Sequence, residues 1–153
     1  MRRKSIMGGI VLFIVLFAFC AVHAQEGGAF SSYLVGTYDL REGYATKIQV
    51  VNPTAHSIEI LIAFFDDNEK PLRCLREKLS HNDLVEIDVR KLELKAQLGV
   101  IKIASLKEGK PYPGMVGFQR QYYKGILATE SNLASVPGTI LTGEIKIFME
   151  MCK

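Results

Sequence analysis

Residues 58–75 read IEILIAFFDDNEKPLRCL. The first part, Ile58–Phe65, is apolar on both alternating faces apart from Glu59, as expected for a strand inside a packed sheet. Asp66-Asp67-Asn68-Glu69 follows, and it can be read as a metal cradle, a catalytic pair or a turn. A calcium loop needs oxygen ligands at alternate positions, a central glycine and a distant bidentate glutamate. Here Lys70 falls on a ligand position, and neither the glycine nor the glutamate follows. Asp and Asn between apolar runs bond their own backbone, and Pro71 closes the loop, so a hairpin tip is expected. Beyond it, PLRCLREKL spaces Leu72, Leu75 and Leu79 like a helix, but Leu75, Glu77 and Leu79 also share a strand face. Turns close on either side favour the strand.

Working outward, the same period of two recurs. In LVEIDV, Val85, Ile87 and Val89 alternate with Glu86 and Asp88. In GEIKIFMEM, Ile145, Ile147, Met149 and Met151 alternate with Glu144, Lys146 and Glu150. TKIQVVN and LGVIKIAS are shorter cases, and MVGFQRQYY alternates Val116, Phe118 and Tyr122 with Gln119 and Gln121. Such alternation marks half-buried strands. Asn52-Pro53-Thr54, His81-Asn82-Asp83, Lys107–Pro111 and Val136-Pro137-Gly138 break the runs. RKLELKAQ suits a short helical turn crossing between sheets. The expected fold is all-β: an antiparallel, immunoglobulin-like β-sandwich of about seven or eight strands.

The ends bound where the chain works. Arg2, Arg3 and Lys4 precede an uncharged run, Ile6–Val22, which is shorter than the ~20 residues of a spanning helix. Small residues then allow a cut after Ala24, the pattern of a secretory signal peptide. The expected division is a signal peptide over 1–24, a flexible leader over 25–32 (QEGGAFSS) and one β-sandwich domain over 33–153. An exported chain of this kind is expected in the periplasm, on the cell surface or in the medium, meeting the membrane only through its export signal. The formal charge of +3 resides in the three basic residues of the signal, so the remainder is neutral. It lacks the basic footprint that nucleic-acid binding requires. Cys20 leaves with the signal, and Cys74 and Cys152 remain as a pair expected to bridge. The bridge would close a loop of 78 residues, which stabilises by about 4 kcal/mol in the chain-entropy picture.

Catalytic signatures are scarce. His56 and His81 sit in polar turns, outside any H-E-x-x-H helix, and C-x-x-C and G-x-S-x-G are absent from the sequence. No enzyme activity, metal or cofactor is expected, and a hydrolase triad assembled from distant loops is the least favoured alternative. The suggestive region is GFQRQYYKGILATESNLASVP, with Arg120, Tyr122 and Tyr123 at a strand end and Glu130, Ser131 and Asn132 beyond. Tyrosine and arginine anchor interfaces because they bury large area and still hydrogen-bond. Arg120, Tyr122, Tyr123, Glu130 and Asn132 are therefore the candidate partner-binding residues. The bland reading makes Tyr122 core, lays Tyr123 on a sheet face and pairs Glu130 with Arg120. Tyr112 in KPYPG is a further exposed aromatic candidate.

TKIQVVNPTAHSIEILIAFFDDNEKPL, then LVEIDV, GVIKIAS, VGFQRQ and ESNLASVP, form a layout that resembles bacterial exported immunoglobulin-like β-sandwich proteins. The layout, over residues 44–137, is also similar to the sensory rhodopsin transducer family, soluble cytoplasmic β-sandwiches that bind partners. The resemblance implies a sandwich fold and binding of a protein or surface ligand in place of catalysis. The function expected is thus a non-catalytic binding or interaction module. The alternative is a structural subunit assembling by edge-strand pairing, with the last stretch, GEIKIFMEMCK, donated or accepted.

Overall fold

A computed structural model describes residues 31–136 and 142–153. The expected signal peptide, and positions 25–30 of the expected leader, lie outside the described residues. The strands are β1 (Tyr33–Asp39), β2 (Tyr44–Asn52), β3 (Ile58–Asp66), β4 (Pro71–Leu79), β5 (Asp83–Asp88), β6 (Leu98–Lys107), β7 (Lys110–Pro111), β8 (Val116–Tyr123), β9 (Ile126–Asn132) and β10 (Ala134–Ser135). A 3-10 turn, Val89–Leu92, joins β5 to β6, and a helix, α1 (Thr142–Met151), ends the chain. A six-stranded sheet in the order β10-β1-β6-β3-β4, with β7 beside β6, packs on a four-stranded sheet in the order β5-β2-β8-β9. Every strand pairing is antiparallel. This is the expected all-β sandwich.

Alternation builds the core. Ile48 and Val50 of β2, with Ile87 of β5 and Val89 just after it, meet Ile60, Ile62 and Phe64 of β3 and Ile101 and Ile103 of β6. Asn52 is fully buried on the same face of β2, and its side chain organises the turn its sequence announces. Its Nδ2 donates to the carbonyls of His56 (2.7 Å), Leu79 (3.2 Å) and Ser80 (2.7 Å), while Oδ1 accepts from Thr54 N (3.1 Å). Strand ends from both sheets are thereby pinned by one carboxamide.

The acidic tetrad is a turn. Asp66 Oδ1 accepts from Asn68 N (2.9 Å) and Lys70 N (2.8 Å), and Glu69 takes a left-handed φ of 59°. β4 follows as a strand, with Ala63 facing Cys74 and Ile62 facing Leu75. The turn expected in RKLELKAQ is present too, capped by Asp88 accepting from Arg90 N at 3.1 Å.

Two readings are corrected. GEIKIFMEM is α1, not a strand. Its apolar residues satisfy both periods, and Phe148 and Met151, with Cys152 just beyond, fall three and four apart, on one helical face. That face covers the outside of the six-stranded sheet, where Tyr33, Leu61, Ala63, Phe65, Ala104 and Leu106 form a second apolar cluster closed by Phe148. β3 is apolar on both faces for this reason: one side meets the other sheet and the other side meets the helix. Cys74 of β4 and Cys152 are disulfide-bonded, Cα to Cα 5.0 Å, so the pair expected from the sequence ties α1 to the sheet.

The second correction is in β8. Its register with β2 turns Val116, Phe118 and Tyr122 outward and Gly117 and Gln119 inward. The cause lies beneath the strand. A Cβ on Gly117 would stand 2.6 Å from Leu133 Cδ1 and 2.7 Å from Leu34 Cδ1, so those leucines fill the inner volume. Gln119 goes inside because it has a partner: its Oε1 accepts from Thr37 N at 3.0 Å. β10 reaches only Leu34 and Val35 of β1, so the Thr37 amide needs this other acceptor. At the opposite end, Ser31 and Met115 exchange main-chain hydrogen bonds (3.0 and 3.2 Å), so the fold takes in the end of the expected leader.

Candidate functional site

The outer face of the four-stranded sheet collects most of the residues singled out in the sequence. On β8, Arg120 and Tyr122 point outward, in register with Lys47 and Ala45 of β2. On β9, Glu130 lies opposite Arg120 and Asn132 opposite Phe118. Arg120, Tyr122, Glu130 and Asn132 therefore share one face. Tyr123 does not, because the pleat sends it to the other side. There it stacks at a tilt on Tyr44, ring centroids 4.8 Å apart, under Lys124 Nζ at 5.3 Å. Tyr112 is remote from this face, half-buried against the core and edge-on to His56 at 6.2 Å.

A belt of alternating charge crosses the face. Arg120 Nε donates to Glu130 Oε2 at 2.9 Å, the pairing the bland reading expected. Beside it, Lys47 Nζ lies 3.6 Å from Glu86 Oε1 and 5.8 Å from the centre of the Tyr122 ring. Gln49 Nε2 donates to Glu86 Oε2 at 2.7 Å. This Gln49 bond, helped by Lys47 and Arg120, holds the Glu86 carboxyl below its usual range, and the Glu130 bond raises the Arg120 guanidinium above its own. Each charge is solvated, so the belt orients side chains more than it stabilises the fold.

Apolar surface flanks the belt. On one side lie Tyr122 and, opposite it, Leu127, 48% exposed. On the other lie Phe118, Val51 and Val116, with Leu84 of β5 56% exposed beside Val51. Exposed apolar groups around hydrogen-bonding Tyr, Arg and Asn form a surface suited to a partner. A hollow of about 410 Å³ lies elsewhere, between the start of β4 and residues 92–96.

Lys47, Gln49 and Glu86 were not among the candidates in the sequence. Their signal was present as the polar side of alternating runs, but only the pairing of β2 with β5 and β8 brings them beside Arg120. The histidines stay apart from this face. His81 Nδ1 lies 2.6 Å from the Thr54 carbonyl and its Nε2 2.9 Å from Asn82 Nδ2, so both ring nitrogens are engaged without a serine hydroxyl.

No protein-family model and no curated protein matches the chain. Among solved structures, the chain is similar to the crystal structure of Thermotoga maritima 1070, with 16% identity and a TM-score of 0.52. The match covers 74% of this chain and 99% of that one. At this identity the likeness is one of fold.

Proposed function

We propose that this protein is a non-catalytic binding module that offers the outer face of its four-stranded sheet to a protein or surface ligand. The observation that carries the reading is the convergence of Arg120, Tyr122, Glu130 and Asn132 on one exposed face, bordered by Leu84 and Leu127. Tyr122 and Phe118 supply apolar area, and Asn132 and the charged belt supply direction. The layout shared with partner-binding β-sandwiches agrees with it. The N-terminal export pattern and the Cys74–Cys152 bridge support work outside the cytoplasm, in the periplasm, at the cell surface or in the medium.

Crosslinking in the native envelope, followed by identification of what is captured, names the partner. The decisive variant is Arg120→Ala with Tyr122→Ala. Capture should fall at least ~10-fold, the loss of about 1.4 kcal/mol at an interface anchor, with the melting temperature nearly unchanged. Full capture by that variant, or an equal collapse of stability, removes this face from the reading.

A further inference from the structure

The described strand edges are not equally protected. β4 begins at Pro71, carries Arg73, Arg76 and Lys78, and is tied to α1 through Cys74. β5 is short and carries Asp83, Glu86 and Asp88, while β7 and β10 have two residues each. Proline, charge, brevity and cover are the usual defences of an edge against added strands. β9 differs. It ends the four-stranded sheet, all seven of its residues are exposed, and its sequence, ILATESN, holds one charge and neither lysine nor proline. Its one irregularity is a bulge at Ala128, because Gln121 faces Thr129 while Tyr122 faces Leu127. Thr129–Asn132 stays in regular register with β8.

Main-chain direction decides what the regular run offers. Leu133 N donates to Gly117 O at 2.9 Å. By the alternation of an antiparallel ladder, Ser131 and Thr129 also turn their amides and carbonyls toward β8. Those of Glu130 and Asn132 then point away from the sheet.

We infer that β9 pairs antiparallel with β9 of a second copy of this chain, across a two-fold axis at Ser131. In this register Glu130 lies opposite Asn132 of the second copy, and the reciprocal pair forms on the other side of the axis. Each pair joins a carboxylate acceptor to an amide donor, and each Glu130 keeps Arg120 behind it. The two neighbouring registers are worse. An axis at Glu130 sets two like charges face to face, and an axis at Asn132 sets Glu130 opposite Ala134, which has left the edge to pair with Val35 of β1. The four-stranded sheets of the two copies become one continuous sheet, and the Arg120–Tyr122 face is doubled across the axis. This inference stands on the edge itself and does not rest on the proposed partner-binding role of the face.

The test uses the protein as its host processes it. Sedimentation equilibrium of the wild type should show a concentration-dependent dimer. Glu130→Pro removes an outward amide in each copy without touching the ladder to β8, and should weaken the dimer at least ~30-fold, whereas Glu130→Gln should hold it within about 5-fold. Ser131→Cys should oxidise to a covalent dimer, since residues on the axis are a close non-hydrogen-bonded pair within disulfide reach, and Thr129→Cys should not. The Ser131→Cys result decides the matter should Glu130→Pro fail to fold. A wild-type monomer up to about 1 mM, weaker than any useful self-affinity, overturns the inference. So does a dimer indifferent to Glu130→Pro in a folded variant, or crosslinking at position 129 in place of 131.

Discussion

The outer face of the six-stranded sheet lies under α1, whereas the outer face of the four-stranded sheet meets solvent. Under the helix, Tyr33, Phe65 and Phe148 pack edge to face, with centroids 6.1 and 6.4 Å apart, among Leu61, Ala63, Ala104 and Leu106. On the bare face, Lys47, Glu86, Arg120 and Glu130 alternate between Phe118 and Tyr122. Aromatic residues serve both faces, so composition does not distinguish them. The difference is whether a second element arrives to exclude water. Where α1 does, the rings hold the fold together, and where no described element does, they remain available.

Truncation separates the two roles most sharply. Phe148→Ala should destabilise by about 3–5 kcal/mol, because the ring is 3% exposed and its loss leaves a cavity over the sheet. Phe118→Ala, half-buried on the bare face, should cost less than about 1.5 kcal/mol. Denaturant unfolding of the two variants measures the contrast, and equal losses would erase the distinction between the faces. Opening the bridge should have the next largest effect. Cys74→Ser with Cys152→Ser should cost about 2–4 kcal/mol, because an isolated ten-residue helix is marginal in water. Hydrogen exchange should then rise in α1 and in the outer positions of β3 while β2 and β8 stay protected.

The smallest effect is a titration. Burial, with Glu144 and Glu69 nearby, pushes the Tyr33 hydroxyl up to about 12 from 10.0. Because the folded value is the higher one, the stabilising contribution is complete below pH 10 and is lost as pH rises through about 12. Phenolate absorbance in the double serine variant should show Tyr33 moving back toward its ordinary range as the cover loosens. An unmoved titration would mean that the strands alone bury this ring.

Local chemistry was legible in the sequence wherever one segment satisfies itself. The Asp66 turn, the Asn52-Pro53 break and the alternation in β5 depend on neighbours within a few residues, and each was read correctly. GEIKIFMEM was misread because its apolar residues fit a period of two and a helical face alike. The choice was made by the apolar outer side of β3 and β6, distant in the chain. β8 was inverted for a related reason. Its apolar residues mark the inner face on local grounds, but Leu34 and Leu133 already occupy the space beneath Gly117. The candidate face was legible in its members on β8 and β9, since a hairpin is local. Lys47, Gln49 and Glu86 joined it only through pairing across the sheet.

The carboxamide of Gln119 stands where a neighbouring strand would otherwise close β1, accepting from Thr37 N at 3.0 Å. Along that seam the two walls of the molecule are held by side chains, Gln119 and, two residues further along β1, Thr46, whose Oγ1 accepts from Asp39 N at 2.9 Å, whereas β6 and β10 are joined to β1 through ladders. Side chains rotate at less cost than ladders slip, so hydrogen exchange at Thr37 and Asp39 should run faster than at the laddered amides of β1.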